Sequence, residues 1–371
     1  MASTTTTTIP NLSRAGSDQS PHSSKETGLA SAEWEGEESE NEYSDENPEW
    51  EGAIPKDLLP IRAAGSGAFG KVVYCIPRGS LKDYADITKQ PSHLPMSLKG
   101  QVCVVKVHGT RTNAHMAWRE ASILRFLQES DGYPRYNISS LIGCDMQTDG
   151  LSSMTIEATH GPTLSEFVGT SLTRSGRNWL SREFVWHVFL QLGKAMRFIH
   201  SMKVSHNDAF LDNVMLDPQR QTFPGLPNVV LIDFGFAHHI DTERNNPYNT
   251  TEISTTPESM DVQMGRDNVD FLDVVSTLCD FVCNDESEEW LSFVNLLQEY
   301  ELRLEDDEVS DDEKSGLLDY FFSRYEGVAI AERVQMHEMD KKKMMDHLYA
   351  TSRGLSDKEI RNAIVAELEK A

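Results

Sequence analysis

Cysteine is scarce in this chain, and its few cysteines form no recognisable pairs. Five occur among 371 residues, far apart and without a Cys-x-x-Cys motif, at positions 75, 103, 144, 279 and 283. This pattern excludes both a disulfide framework and a zinc site built from paired cysteines. We therefore expect reduced thiols, most of them buried as small apolar side chains.

Long apolar runs and an excess of positive charge are also absent. No apolar run approaches the ~18 residues that a membrane-spanning helix needs, and the threonine-rich first ten residues lack the basic and apolar regions of a secretory signal. The net charge of −25 disfavours nucleic-acid backbones and anionic membrane surfaces. We expect a cytoplasmic or nuclear protein that binds neither, and whose protein partners are basic or neutral.

Residue patterns divide the chain into regions of different character. Residues 1–52 are rich in Ser, Thr and acidic residues and poor in aliphatics, which predicts a disordered tail. From residue 54 to about 153, β-branched runs such as 71–75 and 102–107 alternate with glycine turns and indicate antiparallel strands. One amphipathic helix, residues 114–128, interrupts them.

Beyond Gly161 the pattern becomes helical. Apolar residues recur at helical spacing in 184–200, 269–281, 290–302 and 317–325, and a capping box, Ser356 to Glu359, opens a last helix. The predicted fold class is α+β, with a small β-rich lobe that carries one helix (53–157) and a larger helical lobe (158–340). Residues 341–371 would form a helical extension.

A glycine-rich turn lies between two of the predicted strands. Its residues are Gly65, Ser66, Gly67, Ala68, Phe69 and Gly70, followed by the strand residues Lys71 and Val72. Glycines let the backbone N–H groups of such a turn approach phosphate oxygens. In a dinucleotide-binding unit the turn would open a helix. A second strand follows here instead, and in this respect the sequence resembles the protein kinase family.

Further motifs of that family follow in its order. Lys106, in Val-Val-Lys, resembles the strand lysine that binds the α- and β-phosphates of ATP, and Glu120 is its candidate carboxylate partner. The stretch from His206 to Asn213 resembles the catalytic loop. There Asp208 would orient the substrate hydroxyl and accept its proton, and Asn213 would bind Mg²⁺.

The metal-binding and adenine-binding positions complete the resemblance. Asp233, in Asp-Phe-Gly, would be the second Mg²⁺ ligand. Glu157 and Thr159 would belong to the hinge whose backbone meets adenine, behind a gatekeeper at Ile156. Thr256-Pro257-Glu258 resembles the end of the activation segment, with Thr251 at its phosphoacceptor-binding position and Asp270 on the anchor helix of the large lobe. The resemblance implies transfer of a phosphoryl group from ATP to protein serine or threonine hydroxyls.

Two departures bear on regulation and rate. Asn207 replaces the arginine that usually precedes the catalytic aspartate, so a phosphate on the activation segment would lose its customary partner. Phe210 replaces a lysine that contacts the transferred phosphate, which predicts slow turnover unless another cation substitutes. This divergence suits a lineage-specific enzyme, or a virus-encoded enzyme acting in a host cell.

Two alternatives within the fold stay open at this point. A His-Asn-Asp catalytic loop is also found in small-molecule kinases that resemble choline and aminoglycoside phosphotransferases. A pseudokinase would retain the fold as a binding module after losing its chemistry. The glycine-rich turn and Asp-Phe-Gly favour a protein kinase over the first, and the presence of Lys106, Asp208 and Asp233 favours an active enzyme over the second.

Overall fold

The computed structural model describes most of the chain after its first 50 residues. The described residues are 51–67, 70–81, 96–108, 111–145, 152–174, 179–239, 242, 258–282, 287–305, 308–352 and 354–370. The chain divides into two units, 1–46 and 47–371, and every described residue belongs to the second. The predicted disordered tail therefore lies outside the described residues, except for its last two positions.

A five-stranded antiparallel sheet forms the small lobe. Its spatial order is β1-β2-β3-β5-β4, and its strands are β1 (Leu58–Gly67), β2 (Gly70–Pro77), β3 (Cys103–His108), β4 (Leu141–Asp145) and β5 (Ser152–Glu157). The central strand β3 is buried along its whole length, as its continuous run of β-branched residues requires. Strands β2 and β5 flank it, so that Lys106 pairs with Val72 on one side and with Met154 on the other.

Two helices accompany this sheet. A single turn, α1 (Met96–Lys99), precedes β3, and α2 (Arg111–Glu129) follows it. The long helix buries Ile123, Leu124 and Leu127 completely or almost so, the apolar positions that predicted it. Glu120 lies on the same buried side, which places a carboxylate inside the lobe.

The large lobe is built mainly of helices. These are α3 (Leu164–Arg174), α4 (Arg182–Ser201), α5 (Met260–Cys279), α6 (Glu288–Glu305), α7 (Asp311–Gln335) and α8 (Glu338–Thr351). Short strands lie between α4 and α5: β6 (Val204–Ser205) pairs with β9 (His238–His239), and β7 (Val214–Asp217) pairs with β8 (Asn228–Leu231). The two-lobed α+β architecture predicted from the sequence is confirmed.

Helix α5 differs from its prediction in where it begins. The apolar pattern started at residue 269, but the helix begins at Met260, and the Ser259 hydroxyl caps it by accepting from the Val262 N–H. Its first half is polar, with Gln263 and Asp267 buried on one side. Apolar periodicity cannot detect a helix whose inner face binds backbone groups of a neighbouring loop.

The chain ends in a helix that returns to the small lobe. Helix α9 (Asp357–Leu368) opens with the expected capping box between Ser356 and Glu359, and it packs against β1. The boundary at residue 340 between the two-lobed domain and the extension stays a prediction. Within the described residues, no helix is long and apolar enough to cross a membrane, and Cys75, Cys103, Cys144 and Cys279 are free thiols.

Gly193 lies where α4 meets α7. Its close packing predicts that a glycine-to-alanine substitution there affects stability differently from the same substitution at an exposed helical glycine. A Cβ atom there would lie 2.1 Å from Cζ of Phe322, whose ring is stacked on Phe189 at 4.5 Å. We expect Gly193→Ala to lower the free energy of unfolding by up to about 2 kcal/mol, because overpacking costs ~1–3 kcal/mol and the gain in helix propensity offsets about 1 kcal/mol of it.

The matched control is Gly327→Ala in α7. Gly327 is exposed with no atom within 4 Å of the added methyl group, so only the helix-propensity gain of up to ~1 kcal/mol remains. Urea unfolding of both variants measures the difference. Equal stabilisation by the two substitutions would show that the α4–α7 contact is not closely packed.

Candidate active site

The glycine-rich turn is the tip of the β1–β2 hairpin. Gly67 pairs with Gly70 across it, while Ala68 and Phe69 lie outside the described residues. Gly70 has φ +146°, and a Cβ atom there would lie 1.8 Å from the carbonyl oxygen of Val107 on β3. Only glycine fits this position, so the hairpin can lie close against β3.

Lys106 is held between two carboxylates. Its Nζ lies 2.8 Å from Glu120 Oε2 and 2.7 Å from Asp233 Oδ1. The lysine is on β3, the glutamate is on α2, and the aspartate follows β8. The ion pairs therefore join the sheet and helix of the small lobe to a segment of the large lobe.

Burial and mutual attraction oppose one another in this cluster. Burial alone would lower the pKa of Lys106, but the carboxylates of Glu120 and Asp233 outweigh it and raise that pKa, so the ammonium stays charged at neutral pH. Burial likewise works against ionisation of Asp233, yet Lys106 lowers its pKa below the ordinary value. Glu120 is almost fully buried, and there burial dominates and raises the pKa.

Asp208 and Asn213 face each other within the loop between β6 and β7. The Asn213 Nδ2 group donates to Asp208 Oδ2 at 2.7 Å and to the Asp208 carbonyl oxygen at 2.9 Å. A short 3₁₀ turn, Leu211–Asn213, creates this arrangement. The Ile232 N–H donates to the Asn213 carbonyl oxygen at 2.9 Å, which places Asn213 beside the residue that precedes Asp233.

A buried carboxylate on α5 anchors this catalytic loop. Asp267 accepts hydrogen bonds from the backbone N–H groups of His206, at 2.7 Å, and Asn207, at 2.6 Å. Asn207 has φ +62°, a left-handed conformation that asparagine adopts more readily than most residues. Asp270, predicted to lie on the anchor helix, is on α5, but these contacts with the loop are made by Asp267, one helical turn earlier.

The Asp-Phe-Gly segment is fixed from several sides. Asp233 has φ +60°, an uncommon conformation for a residue other than glycine, and its Oδ1 accepts from the Gly235 N–H at 3.3 Å. Phe234 is fully buried, with its ring 4.7 Å from that of His206. Arg119 of α2 donates to the Gly235 carbonyl oxygen at 2.7 Å. Asp233 is thus pre-positioned next to Lys106.

A cavity of about 370 Å³ opens between the lobes in front of this cluster. Its walls combine apolar side chains, hinge residues and the Lys106 cluster, and they include Gly65, Val72, Val104, Lys106, Glu120, Ile156, Glu157, Thr159, Met215 and Asp233. The predicted gatekeeper, Ile156, and the hinge residues Glu157 and Thr159 therefore line the same cavity as Lys106.

Arg220 holds the hinge in place, a role that the sequence motifs did not reveal. Its guanidinium lies 3.0 Å from Glu157 Oε1 and donates to the Ala158 carbonyl oxygen at 3.3 Å. It also pairs with the buried Asp217. Because Arg220 lies between β7 and β8 and outside every motif, only its spatial position indicates this function.

The order of these elements and their geometry agree with a comparison against known families. The family model described as the protein kinase domain matches residues 60–287. The chain belongs to the protein kinase family. The match begins in β1 and ends just before α6, so it contains every motif residue from Gly65 to Asp270. Helices α6, α7, α8 and α9 of this kinase lie beyond it.

Most of the predicted activation segment lies outside the described residues. Thr251, Thr256 and Pro257 lie outside the described residues. Glu258, the last residue of the Thr-Pro-Glu motif, is exposed and forms a two-point ion pair with Arg266 at 2.6 and 2.7 Å. The assignments of Thr251 and Thr256 therefore stay predictions.

The raised pKa of Asp270, next to the catalytic loop, predicts how stability depends on pH. Burial raises its pKa to about 7, and the neighbouring Asp267 adds to this effect. A carboxyl group whose pKa is raised in the folded state binds more protons there than in the unfolded chain. Its contribution to stability is therefore lost as the pH rises from about 4 to about 7.

We expect Asp270→Asn to remove this pH dependence, because asparagine carries no charge at any pH and can still accept from the Ala209 N–H that contacts Asp270. The unfolding temperature of the variant relative to the wild type should rise between pH 5 and pH 8. Thermal unfolding followed by circular dichroism at both pH values measures it. A relative unfolding temperature that does not change with pH would contradict the raised pKa.

Proposed function

We propose that this kinase transfers the γ-phosphoryl group of ATP, with Mg²⁺, to serine or threonine hydroxyls of proteins. The observation that carries the proposal is the Lys106 ammonium, held between Glu120 and Asp233 on the wall of the inter-lobe cavity. A protein kinase needs this lysine–glutamate pair and the metal-binding aspartate in place at the same time.

The cavity walls suit a nucleotide. Val72, Val104 and Met215 supply apolar surface for a flat base, and the hinge backbone after Ile156 supplies hydrogen-bonding groups at the cavity edge. The β1–β2 hairpin lies at the opposite end with Gly65 in the lining. There the backbone N–H groups and Lys106 would face the phosphates.

Asp233 and Asn213 are the residues that would hold Mg²⁺. Both offer hard oxygen atoms, the donors that Mg²⁺ prefers, and this ion characteristically takes only one or two protein carboxylates together with substrate phosphates. The Asn213 amide nitrogen already donates to Asp208. This hydrogen bond orients the Asn213 side chain and leaves the Asn213 amide oxygen for a cation. When bound, the ion would neutralise charge on the β- and γ-phosphates.

Asp208 is the proposed acceptor of the hydroxyl proton. Its Oδ2 accepts from Asn213, which fixes the carboxylate and leaves Oδ1 for the substrate. Beside it, Phe210 is 44% exposed where a lysine would supply a cation in related enzymes, so we propose a slow transfer. The net charge of −25 favours basic protein substrates.

We expect Asp208→Asn to lower kcat by several orders of magnitude without unfolding the protein, because the amide cannot accept the proton. Lys106→Met should have a comparable effect through lost phosphate positioning. The matched control is Asp212→Asn, the same substitution at an exposed position four residues away, which should keep wild-type activity. Incorporation of label from γ-labelled ATP into mixed proteins measures all three.

The same assay separates the alternatives when choline-like and aminoglycoside alcohols are added. Label in protein that depends on Asp208 supports the proposal, and analysis of the labelled residue tests serine and threonine. Label in the alcohols alone would refute the proposal and identify a small-molecule kinase. Nucleotide binding without any transfer would identify a pseudokinase, and full activity of Asp208→Asn would refute the catalytic assignment.

We further propose that this kinase needs no activating phosphate on its activation segment. The Asn207 side chain donates to the Ser205 hydroxyl at 3.0 Å and to the Phe236 carbonyl oxygen at 3.1 Å. These hydrogen bonds tie the catalytic loop to the segment after Asp233 through a neutral amide. An amide offers a phosphate no charge to pair with, unlike an arginine.

Phosphatase treatment should therefore leave kcat and KM unchanged, and neither Thr251→Ala nor Thr256→Ala should cause the strong loss of activity that follows removal of an obligatory activating phosphate. A phosphorylation-dependent kinase treated in parallel confirms that the phosphatase works. Loss of activity on treatment, with recovery after rephosphorylation, would show that another residue reads a phosphate in place of Asn207.

A further inference from the structure

The C-terminal segment of this kinase connects the two lobes a second time. Helix α8 belongs to the large lobe, where Met344 and Leu348 are buried in its core. Helix α9 belongs to the small lobe, where Ile360 and Ile364 are buried in a separate cluster. Only five residues, 352–356, separate the two helices. The lobes are thus joined both at the hinge after Ile156 and through this segment.

The apolar face of α9 covers the sheet on the side that leads to the nucleotide cavity. Ile360 and Ile364 are 2% and 0% exposed, in one cluster with Tyr74 and Val104. Tyr74 and Val104 also line the cavity. The apolar cluster that α9 completes therefore includes two side chains of the wall against which we expect the base to lie.

Ion pairs fix the position of α9 along the sheet. Asp357 lies 2.6 Å from Lys99, and Glu359 lies 3.2 Å from Arg62. Near the other end of the helix, Glu367 pairs with Arg78. Exposed pairs of this kind contribute little individually, but three of them along twelve residues define one register for the helix.

The segment between α8 and α9 passes beside the hinge. The Ser352 hydroxyl donates to the carbonyl oxygen of His160, which follows the hinge residue Thr159, at 3.3 Å. Gly354 lines the cavity. A Cβ atom on Gly354 would lie 3.0 Å from the Ser352 hydroxyl and 3.4 Å from the His160 carbonyl oxygen. The C-terminal segment therefore contributes directly to the cavity wall.

We propose that residues 352–368 are a positioning element of the nucleotide site. They hold the small lobe at a set distance from the large lobe and complete the cavity beside the hinge. Lobe opening and closing of this kind sets nucleotide binding and release in two-lobed enzymes. The proposal rests on the nucleotide binding proposed above, and it assigns a function to residues that lie beyond the family match.

Ile364→Asp in the full chain tests the proposal, with Asn362→Asp as its control. Both add one negative charge to α9, but Ile364 is buried on the sheet and Asn362 is exposed. We expect Ile364→Asp to raise the Kd of a non-hydrolysable ATP analogue with Mg²⁺ by about fivefold or more. KM for ATP should rise in parallel, with a smaller change in kcat. Asn362→Asp should change neither.

A charge exchange provides a second test that does not depend on burying a charge. Lys99→Glu and Asp357→Lys should each raise the Kd for the analogue, and the double variant should return it towards the wild-type value. Such recovery is specific to the contact between α1 and α9.

Titration calorimetry below the unfolding temperature of each variant gives the decisive readings. Wild-type Kd and KM in Ile364→Asp and in both single charge variants would overturn the proposal and leave α9 a merely stabilising element. Failure of the unmodified chain to bind the analogue is a different result, which would refute the proposed nucleotide site itself.

Discussion

The active-site arrangement depends on the ion pairs of Lys106. Its ammonium lies 2.8 Å from Glu120 and 2.7 Å from Asp233. It joins three separate parts of the chain: the central strand of the sheet, the long helix beside it and the segment that follows β8. Two carboxylates in a largely buried site would repel one another, and the lysine between them makes their approach favourable. The charge that binds the lobes together is also the charge proposed to face the phosphates.

The buried carboxylate of Asp267 likewise joins distant parts of the chain, here helix α5 and the catalytic loop. Asp267 has no exposed surface and accepts from the N–H groups of His206 and Asn207. Burying a carboxylate is costly unless hydrogen bonds satisfy it, so these bonds stabilise the first half of α5 and the loop together. This coupling holds Asp208 in position without requiring a charged residue at position 207.

Two features outside the sequence motifs support the region around the inter-lobe cavity. Arg220 ties the hinge to the loop between β7 and β8, and α9 covers the sheet after the chain has left the large lobe. Arg220 thus supports the hinge, and α9 is proposed to position the small lobe. The inter-lobe cavity is therefore formed by the motif residues together with contacts that lie outside the motifs.

Much of this kinase could be predicted from local sequence alone. The glycine-rich hairpin, the helix that carries Glu120, the loop of Asp208 and Asn213 and the capping box at Ser356 are all set by neighbouring residues. Glycine spacing, apolar periodicity and capping chemistry act over a few positions, and such patterns can be read directly. The family and the two-lobed fold followed from them.

Other features depend on contacts between residues that are distant in the chain, and only the tertiary structure reveals them. Asp267 binds the backbone N–H groups of His206 and Asn207 because the inner side of α5 faces this loop, about sixty positions earlier in the chain. The roles of Arg220 and α9 depend on contacts between segments distant in the chain, and their local sequence is that of an ordinary loop and an ordinary amphipathic helix. Sequence determined which chemical groups are present, whereas packing decided which of them meet.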